Sequence, residues 1–260
     1  MSEVIAVASG KGGVGKTTLT ANIGIALARM GKKTVVVDTD MGLRNLDLAL
    51  GLENSVVYDI IDVVSGECRL REAEVSDKKY RDFAFLPATQ FKSFDDFTSD
   101  KLKKITDKLR ETFDYILIDC PAGIGSVFSA CAECADRAII VVNPDPFSLR
   151  DADRVAGILE EKGISDIRMI VNRYRENLVS KGVMLDVNNI IDAIAIRLLG
   201  VVNEDEAFIE SCISGTPVVL NFTSSAALEI VNIARRINGE RVPFAMPSKK
   251  GFLKRFIIGK

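Results

Sequence analysis

The sequence contains no histidine. That absence excludes Ser-His-Asp triads, imidazole acid–base catalysis and histidine-ligated metals. Long hydrophobic runs are missing too: no window approaches 18 uninterrupted apolar residues, so no segment reads as a membrane span. Neither sign of charge is in excess, with 34 basic and 36 acidic residues and a net charge of -2. This balance argues against bulk attachment to nucleic acid. Cysteines are few and odd in number (Cys68, Cys120, Cys131, Cys134 and Cys212), and the chain enters a strand pattern with no basic, leader-like region before it. These features predict a protein of a reducing cytoplasm rather than a disulfide scaffold. Internal repeats and low-complexity linkers are absent as well.

What is present is an alternation. Apolar runs of strand length recur at 4–8, 34–38, 83–86, 115–119, 138–143, 167–172 and 199–202. They are continuous and rich in valine and isoleucine, which marks strands buried on both faces of a parallel sheet. Segments of helical period lie between them at 17–30, 99–112, 126–136, 147–162, 186–197, 204–214 and 225–238. Strand and helix alternating from end to end predict an α/β fold: a doubly wound, mostly parallel sheet with helices on both faces. The pattern predicts one domain over 1–242, followed by a proline-containing, basic and apolar segment over 243–260.

The stretch SGKGGVGKTT (9–18) carries the strongest chemistry. Gly10, Gly15, Lys16 and Thr17 fit G-x-x-x-x-G-K-[ST] after a predicted strand and before a predicted helix. Chance occurrence in a chain this size is on the order of 1% from average residue frequencies. In such a loop the backbone of Gly10, Lys11, Gly12, Gly13, Val14 and Gly15 can wrap phosphate oxygens, and the helix opening at Lys16, Thr17 and Thr18 adds a positive dipole. Lys16 is placed to reach β- and γ-phosphates and the Thr17 hydroxyl to hold Mg²⁺, which makes ATP and Mg²⁺ the expected cofactors. Two further strand ends carry carboxylates: VVVDTD ends in Asp38 and Asp40, and ILIDCPAG carries Asp119. Ligands of open parallel sheets sit beyond the carboxyl ends of strands, so all three carboxylates are expected near the loop. Asp119 is the candidate Mg²⁺ ligand of Walker-B type; Asp40 or Asp38 is the candidate to orient attacking water, since no histidine is available. A phosphate loop needs one lysine at its end. The second, Lys11, is either an exposed lysine or a group that reaches a nucleotide bound across a dimer interface.

These residues resemble the MinD/ParA family of ATPases, whose deviant Walker A loop carries the lysine at position 11, and which are relatives of the nitrogenase iron protein. The stretches at 38–63, 119–124, 143–159 and 249–256 resemble in particular the branch that places the bacterial division site, and the similarity covers essentially the whole chain. The resemblance implies an ATP-dependent homodimer with Lys11 acting across the interface, and Asn172 beside the adenine. It also implies MinC as a partner, MinE or a polar scaffold as regulator, and a C-terminal helix that binds an anionic membrane surface. Localisation would then be cytoplasmic, with peripheral attachment to the inner face of the cell membrane in the ATP-bound state. One position departs from the family, which usually has proline where this chain has Asn203.

At helical spacing Phe252, Leu253, Phe256 and Ile257 share one apolar arc, with Lys254 and Arg255 off it and Lys249, Lys250 and Lys260 flanking. That is the pattern of a short interfacial helix. On the helix 147–162, Leu149, Val155 and Ile158 are expected to face the core, and Asp151 and Asp153 to form a partner surface. The pair Cys131 and Cys134 has metal-ligand spacing, but its alanine-rich helical setting predicts small core residues. Two other functions stay open: a flagellar-number regulator of the same superfamily, and a ParA-type DNA-segregation ATPase, for which specific nucleic-acid binding is not expected here. An iron–sulfur carrier is a further alternative.

Overall fold

The computed structural model describes residues 2–91 and 97–244. Seven strands build one sheet: β1 (Glu3–Ala8), β2 (Thr34–Asp38), β3 (Phe83–Leu86), β4 (Tyr115–Asp119), β5 (Arg137–Val142), β6 (Ile167–Tyr174) and β7 (Arg197–Asn203). Their order is β3-β2-β4-β1-β5-β6-β7, and every neighbouring pair is parallel. The longer helices are α1 (Lys16–Arg29), α5 (Ser99–Arg110), α6 (Ser126–Cys134), α7 (Pro146–Glu161), α9 (Val187–Ala193), α10 (Ala207–Ser214) and α11 (Ser225–Ile237). Shorter turns of helix are α2 (Leu46–Leu50), α3 (Ile60–Ser65), α4 (Leu70–Ala73) and α8 (Glu176–Val179).

The sheet is coated on both faces, as a run of continuous apolar strands requires. Alternate residues of β1 serve two cores. Val4, Ala6 and Ala8 join α3, α5, α6, α7 and α9 on one side, while Ile5 and Val7 join α1, α2, α10 and α11 on the other. Each fully buried valine, leucine or isoleucine contributes roughly 1.5–3 kcal/mol. The approach of α1 to the sheet depends on Gly24, where a Cβ would lie 2.6 Å from Val36 Cγ2. Local signals fix the ends of α7 and α11. Asp145 accepts from the amides of Phe147 and Ser148 ahead of Pro146, and Ser224 accepts from the Ala227 amide.

Three expectations need correction. The helix expected over 186–197 stops at Ala193, because Ile194 and Ile196 turn into the core with extended backbone leading into β7. Ile158 is only partly buried and Leu159 is the fully enclosed residue of that turn. The short helices α2, α3, α4 and α8 were not anticipated. Cys131 and Cys134 lie in the core. The interfacial segment, with Lys250, Phe252, Leu253, Lys254, Arg255, Phe256 and Ile257, falls outside the described residues.

Candidate nucleotide-binding site

Because β1 is central, its carboxyl end opens between those of β4 and β5, where the strand order reverses. The loop 9–15 rises from that point and runs into α1. Its shape relies on Gly13 and Gly15, both left-handed, with φ of 77° and 91°. Loops from β2 and β4 are stitched beside it. The Gly123 amide donates to Ser9 O at 3.2 Å, and Thr39 donates to Asp119 O through its amide (3.1 Å) and its hydroxyl (2.8 Å). The three segments therefore form one hydrogen-bonded rim at the carboxyl edge of the sheet.

Inside the rim, Asp119 is wholly buried and gathers three donors. Lys16 Nζ lies 2.7 Å from Oδ1, Thr17 Oγ1 lies 2.6 Å from Oδ2, and Thr20 Oγ1 lies 3.1 Å from Oδ1. Lys16, Thr17 and Thr20 are brought together by the helical repeat of α1. Thr20 was not anticipated; its signal was its place one turn after Lys16. Burial depresses the Lys16 pKa, but the carboxylate of Asp119 outweighs it and leaves the ammonium above its ordinary value.

Asp38 and Asp40 divide the β2 end between them. Asp38 has no exposed surface and accepts from the amides of Asp40 (2.9 Å) and Leu46 (3.4 Å). Burial, and then the neighbouring Asp119, push its carboxyl up to about 8. Asp40 is half-buried and its pKa is raised, mainly by burial. Of the two, only Asp40 keeps accessible surface.

Lys11 sits on the outside of the loop. Its side chain is exposed and pairs with no carboxylate among the described residues; the Ser9 hydroxyl donates to its carbonyl at 3.0 Å. Gly12 and Gly13 beside it are exposed, Val14 is buried, and Thr18 is half-buried with its carbonyl accepting from Asn22 Nδ2.

Asn172 meets the loop from the β6 side. A register shift between Val171 and Tyr174, with Arg173 at φ 56°, re-aims the strand. Asn172 Nδ2 donates to Val14 O at 2.8 Å, and a Cβ on Gly15 would lie 2.4 Å from it. Its Oδ1 is buried without a partner among the described residues. An unsatisfied buried acceptor suits an amino-bearing ligand such as a nucleobase. Asn203 ends β7 opposite Tyr174. Gly10 packs against α7: a Cβ there would lie 2.5 Å from Asp151 Cβ and 2.6 Å from its carbonyl. Asp151 is consequently half-buried at the loop, whereas Asp153 is exposed.

An AAA domain family matches residues 2–165. The septum site-determining protein MinD of Synechocystis sp. is 46% identical over 245 residues, covering 94% of this chain and 92% of that protein. The Bacillus subtilis MinD is 44% identical, with 94% and 91% covered. Among solved structures, the MinC:MinD complex of Aquifex aeolicus superposes with a TM-score of 0.87 at 42% identity, covering 94% of this chain and 99% of that one. MinD of Pyrococcus horikoshii in complex with Mg-ADP has a TM-score of 0.82 at 31% identity, with 92% and 96% covered. With a phosphate loop, paired carboxylates and full-length similarity of this kind, the chain belongs to the MinD family of septum site-determining ATPases.

Proposed function

We propose that this chain binds Mg²⁺-ATP in the rim at 9–18, dimerises across that rim, and while dimeric holds the inner face of the cell membrane through 243–260. The observation that carries the reading is the division of labour between two lysines. Lys16 is inside on Asp119 and Lys11 is outside, with no carboxylate partner among the described residues. A lysine turned outward on a phosphate loop has a use when a second copy presents its nucleotide. The exposed apolar side chains of Leu43 and Ile124, on the loops after β2 and β4, suit the same contact.

The residues fit the ligands. The loop amides and Lys16 would hold phosphate, Thr17 and Asp119 would hold the cation, and Asn172 Oδ1 would accept from the base. ATP would supply the transferable phosphoryl group, and Mg²⁺ the neutralisation of its charge. For Lys16 to engage phosphate and Asp119 the cation, their mutual ion pair has to open. Asp40 orients water at the exposed side, with Asp38 as the alternative carrier. Lys11 from the partner copy adds positive charge where charge develops.

A division inhibitor of MinC type is the proposed partner, recruited over α7 at Asp153 and the adjoining Asp151. The regulator is MinE or a polar scaffold. The test is sedimentation of the full chain with anionic vesicles in ATP and in ADP, with and without residues 249–260. Sedimentation in ATP alone, lost on truncation, is expected. Equal sedimentation in both nucleotides would remove the switch.

A further inference from the structure

All strands run the same way, so one edge of the sheet collects the ends of helices and the starts of strands, opposite the phosphate loop. On that edge a cleft of about 630 Å³ opens between the end of α1, the turn before β3 and the 3-10 turn Val218–Leu220. Its floor is apolar, from Ile25, Ala28 and Leu220; its rim carries Arg29, Lys79 and Arg81. Three carboxylates near the cleft each have a partner. Asp82 faces Arg81 at 3.5 Å, Asp77 accepts from the Lys79 amide at 2.7 Å, and Asp114 accepts from the Lys33 amide at 2.8 Å. Arg29 and Lys79 have no ion pair among the described residues; each instead lies over a ring. The Arg29 guanidinium carbon is 4.8 Å from the Phe222 centroid, and Lys79 Nζ is 5.2 Å from that of Tyr80. Phe222 is 80% exposed. A cation stacked on an exposed ring is an amphipathic pair, apolar on one side and basic on the other.

The same edge is where the C-terminal segment leaves the body. Arg236, in the last turn of α11, donates to the carbonyls of Leu199 (3.0 Å), Val242 (3.0 Å) and Pro243 (2.9 Å). Its guanidinium carbon stacks 4.2 Å over the half-exposed ring of Phe244. Continuity with the cleft is covalent and hydrogen-bonded. Tyr115 OH donates to Asn238 Oδ1 (3.2 Å), the amides of Asp114 and Tyr115 donate to Lys33 O, and the Thr34 amide donates to Asp82 O.

We infer that this edge of the folded body is a second lipid-contacting surface, in which Arg29 and Lys79 hold the anionic phosphate headgroup of a membrane lipid while Phe222 enters the interface. The inference rests on the proposed membrane attachment of 243–260, because that segment brings the edge to the bilayer. A lipid is favoured over nucleic acid by the apolar floor and the exposed ring, which a nucleic-acid backbone would leave unused. Each cation near an anionic surface is worth about fivefold in partitioning.

The test is vesicle binding by the full chain in ATP. It uses phosphatidylcholine alone and phosphatidylcholine mixed with phosphatidylglycerol, for the wild type, for Arg29→Gln with Lys79→Gln, and for Phe222→Ser. Nucleotide binding is measured alongside to establish folding. The double variant is expected to lose about 25-fold in affinity for the anionic vesicles with unchanged ATP affinity, and Phe222→Ser to lose on both vesicles. Inorganic phosphate at matched ionic strength should displace the wild type no better than chloride. Wild-type binding matched by both variants would overturn the inference alone; absence of wild-type binding would overturn the membrane attachment with it. Preferential displacement by phosphate would identify a free-anion site, and duplex DNA retained by the wild type but not by the double variant would identify a nucleic-acid surface. Either result would overturn the assignment to lipid.

Discussion

Asp38 and Asp119 are register partners at the carboxyl ends of β2 and β4, both without exposed surface, and Lys16 is bound to Asp119. Two buried carboxylates beside one another cannot both ionise cheaply. With its pKa raised by burial and by Asp119 to about 8, Asp38 keeps its proton in the folded chain through neutral pH. An unfolded chain releases that proton near pH 4. Between these values the folded state binds more protons, so this group's contribution to stability is intact below about pH 4 and is lost as pH rises toward 8. Urea unfolding of the chain without nucleotide should therefore show a midpoint that falls from pH 5 to pH 8 in the wild type. Asp38→Asn should flatten that fall by about 3–4 kcal/mol. Parallel pH profiles for the two proteins would place the proton elsewhere.

Lys16→Ala and Lys11→Ala should fail in different ways. Removing Lys16 leaves the buried Asp119 with only the hydroxyls of Thr17 and Thr20, which costs about 3–5 kcal/mol of stability. It also removes the charge matched to the phosphates, so Mg²⁺-ATP binding should be lost. Lys11 is exposed and pairs with no carboxylate among the described residues, so its loss should leave both the melting curve and single-chain ATP binding close to wild type. Dimer formation in ATP should disappear, and turnover should drop by roughly 10²-fold or more. Calorimetric melting, nucleotide titration and analytical ultracentrifugation separate the two patterns. A Lys11→Ala protein that dimerises and turns over like the wild type would end its role in trans.

The sheet was legible because β1, β2, β4 and β5 are runs of valine and isoleucine that only a two-sided core uses, and all seven strands lie within two residues of their expected bounds. The site was legible where the chemistry is carried by side chains at strand ends: Lys16, Thr17 and Asp119 meet as expected. What could not be read depends on contacts distant in sequence. The helix after Asp186 looks periodic through Arg197, yet the burial of Ile194 and Ile196 ends it. The aim of Asn172 depends on a bulge shared with β7. The half-burial of Asp151 follows from Gly10, 141 positions earlier, since no local pattern encodes what a loop will touch. The burial of Asp38 relative to Asp40 is set by pairing with Asp119, and alternation along one strand does not contain it.

Asp40, the half-buried carboxylate just after β2, should carry the water-positioning role. Asp40→Ala removes no partner from Asp119 and leaves its own amide on Asp38 Oδ1, so the rim should keep its shape. ATP binding and dimer formation should survive while hydrolysis falls on the order of 10²-fold, leaving a long-lived ATP dimer. Single-turnover hydrolysis of Asp40→Ala and Asp38→Asn decides between the two carriers. Normal rates in both would take these carboxylates out of the chemistry.

The acidic pair on α7 should divide by the contact at Gly10. Asp153 is exposed, so Asp153→Arg changes the charge that a partner meets without disturbing the loop. Affinity for a MinC-type inhibitor should fall about tenfold or more through like-charge contact, with nucleotide affinity unchanged. Asp151 lies under the phosphate loop, where a Cβ on Gly10 would come within 2.6 Å of its carbon and oxygen. Gly10→Ala therefore has to push α7 and the loop apart, at a cost of about 1–3 kcal/mol for overpacking. It should weaken nucleotide binding directly, and partner binding only through the lost dimer. Nucleotide titration and pull-down of the partner on each variant give the two readouts. Retained partner binding by Asp153→Arg would move the docking surface off this helix. Wild-type nucleotide affinity in Gly10→Ala would mean that the close approach of Asp151 does not set the shape of the loop.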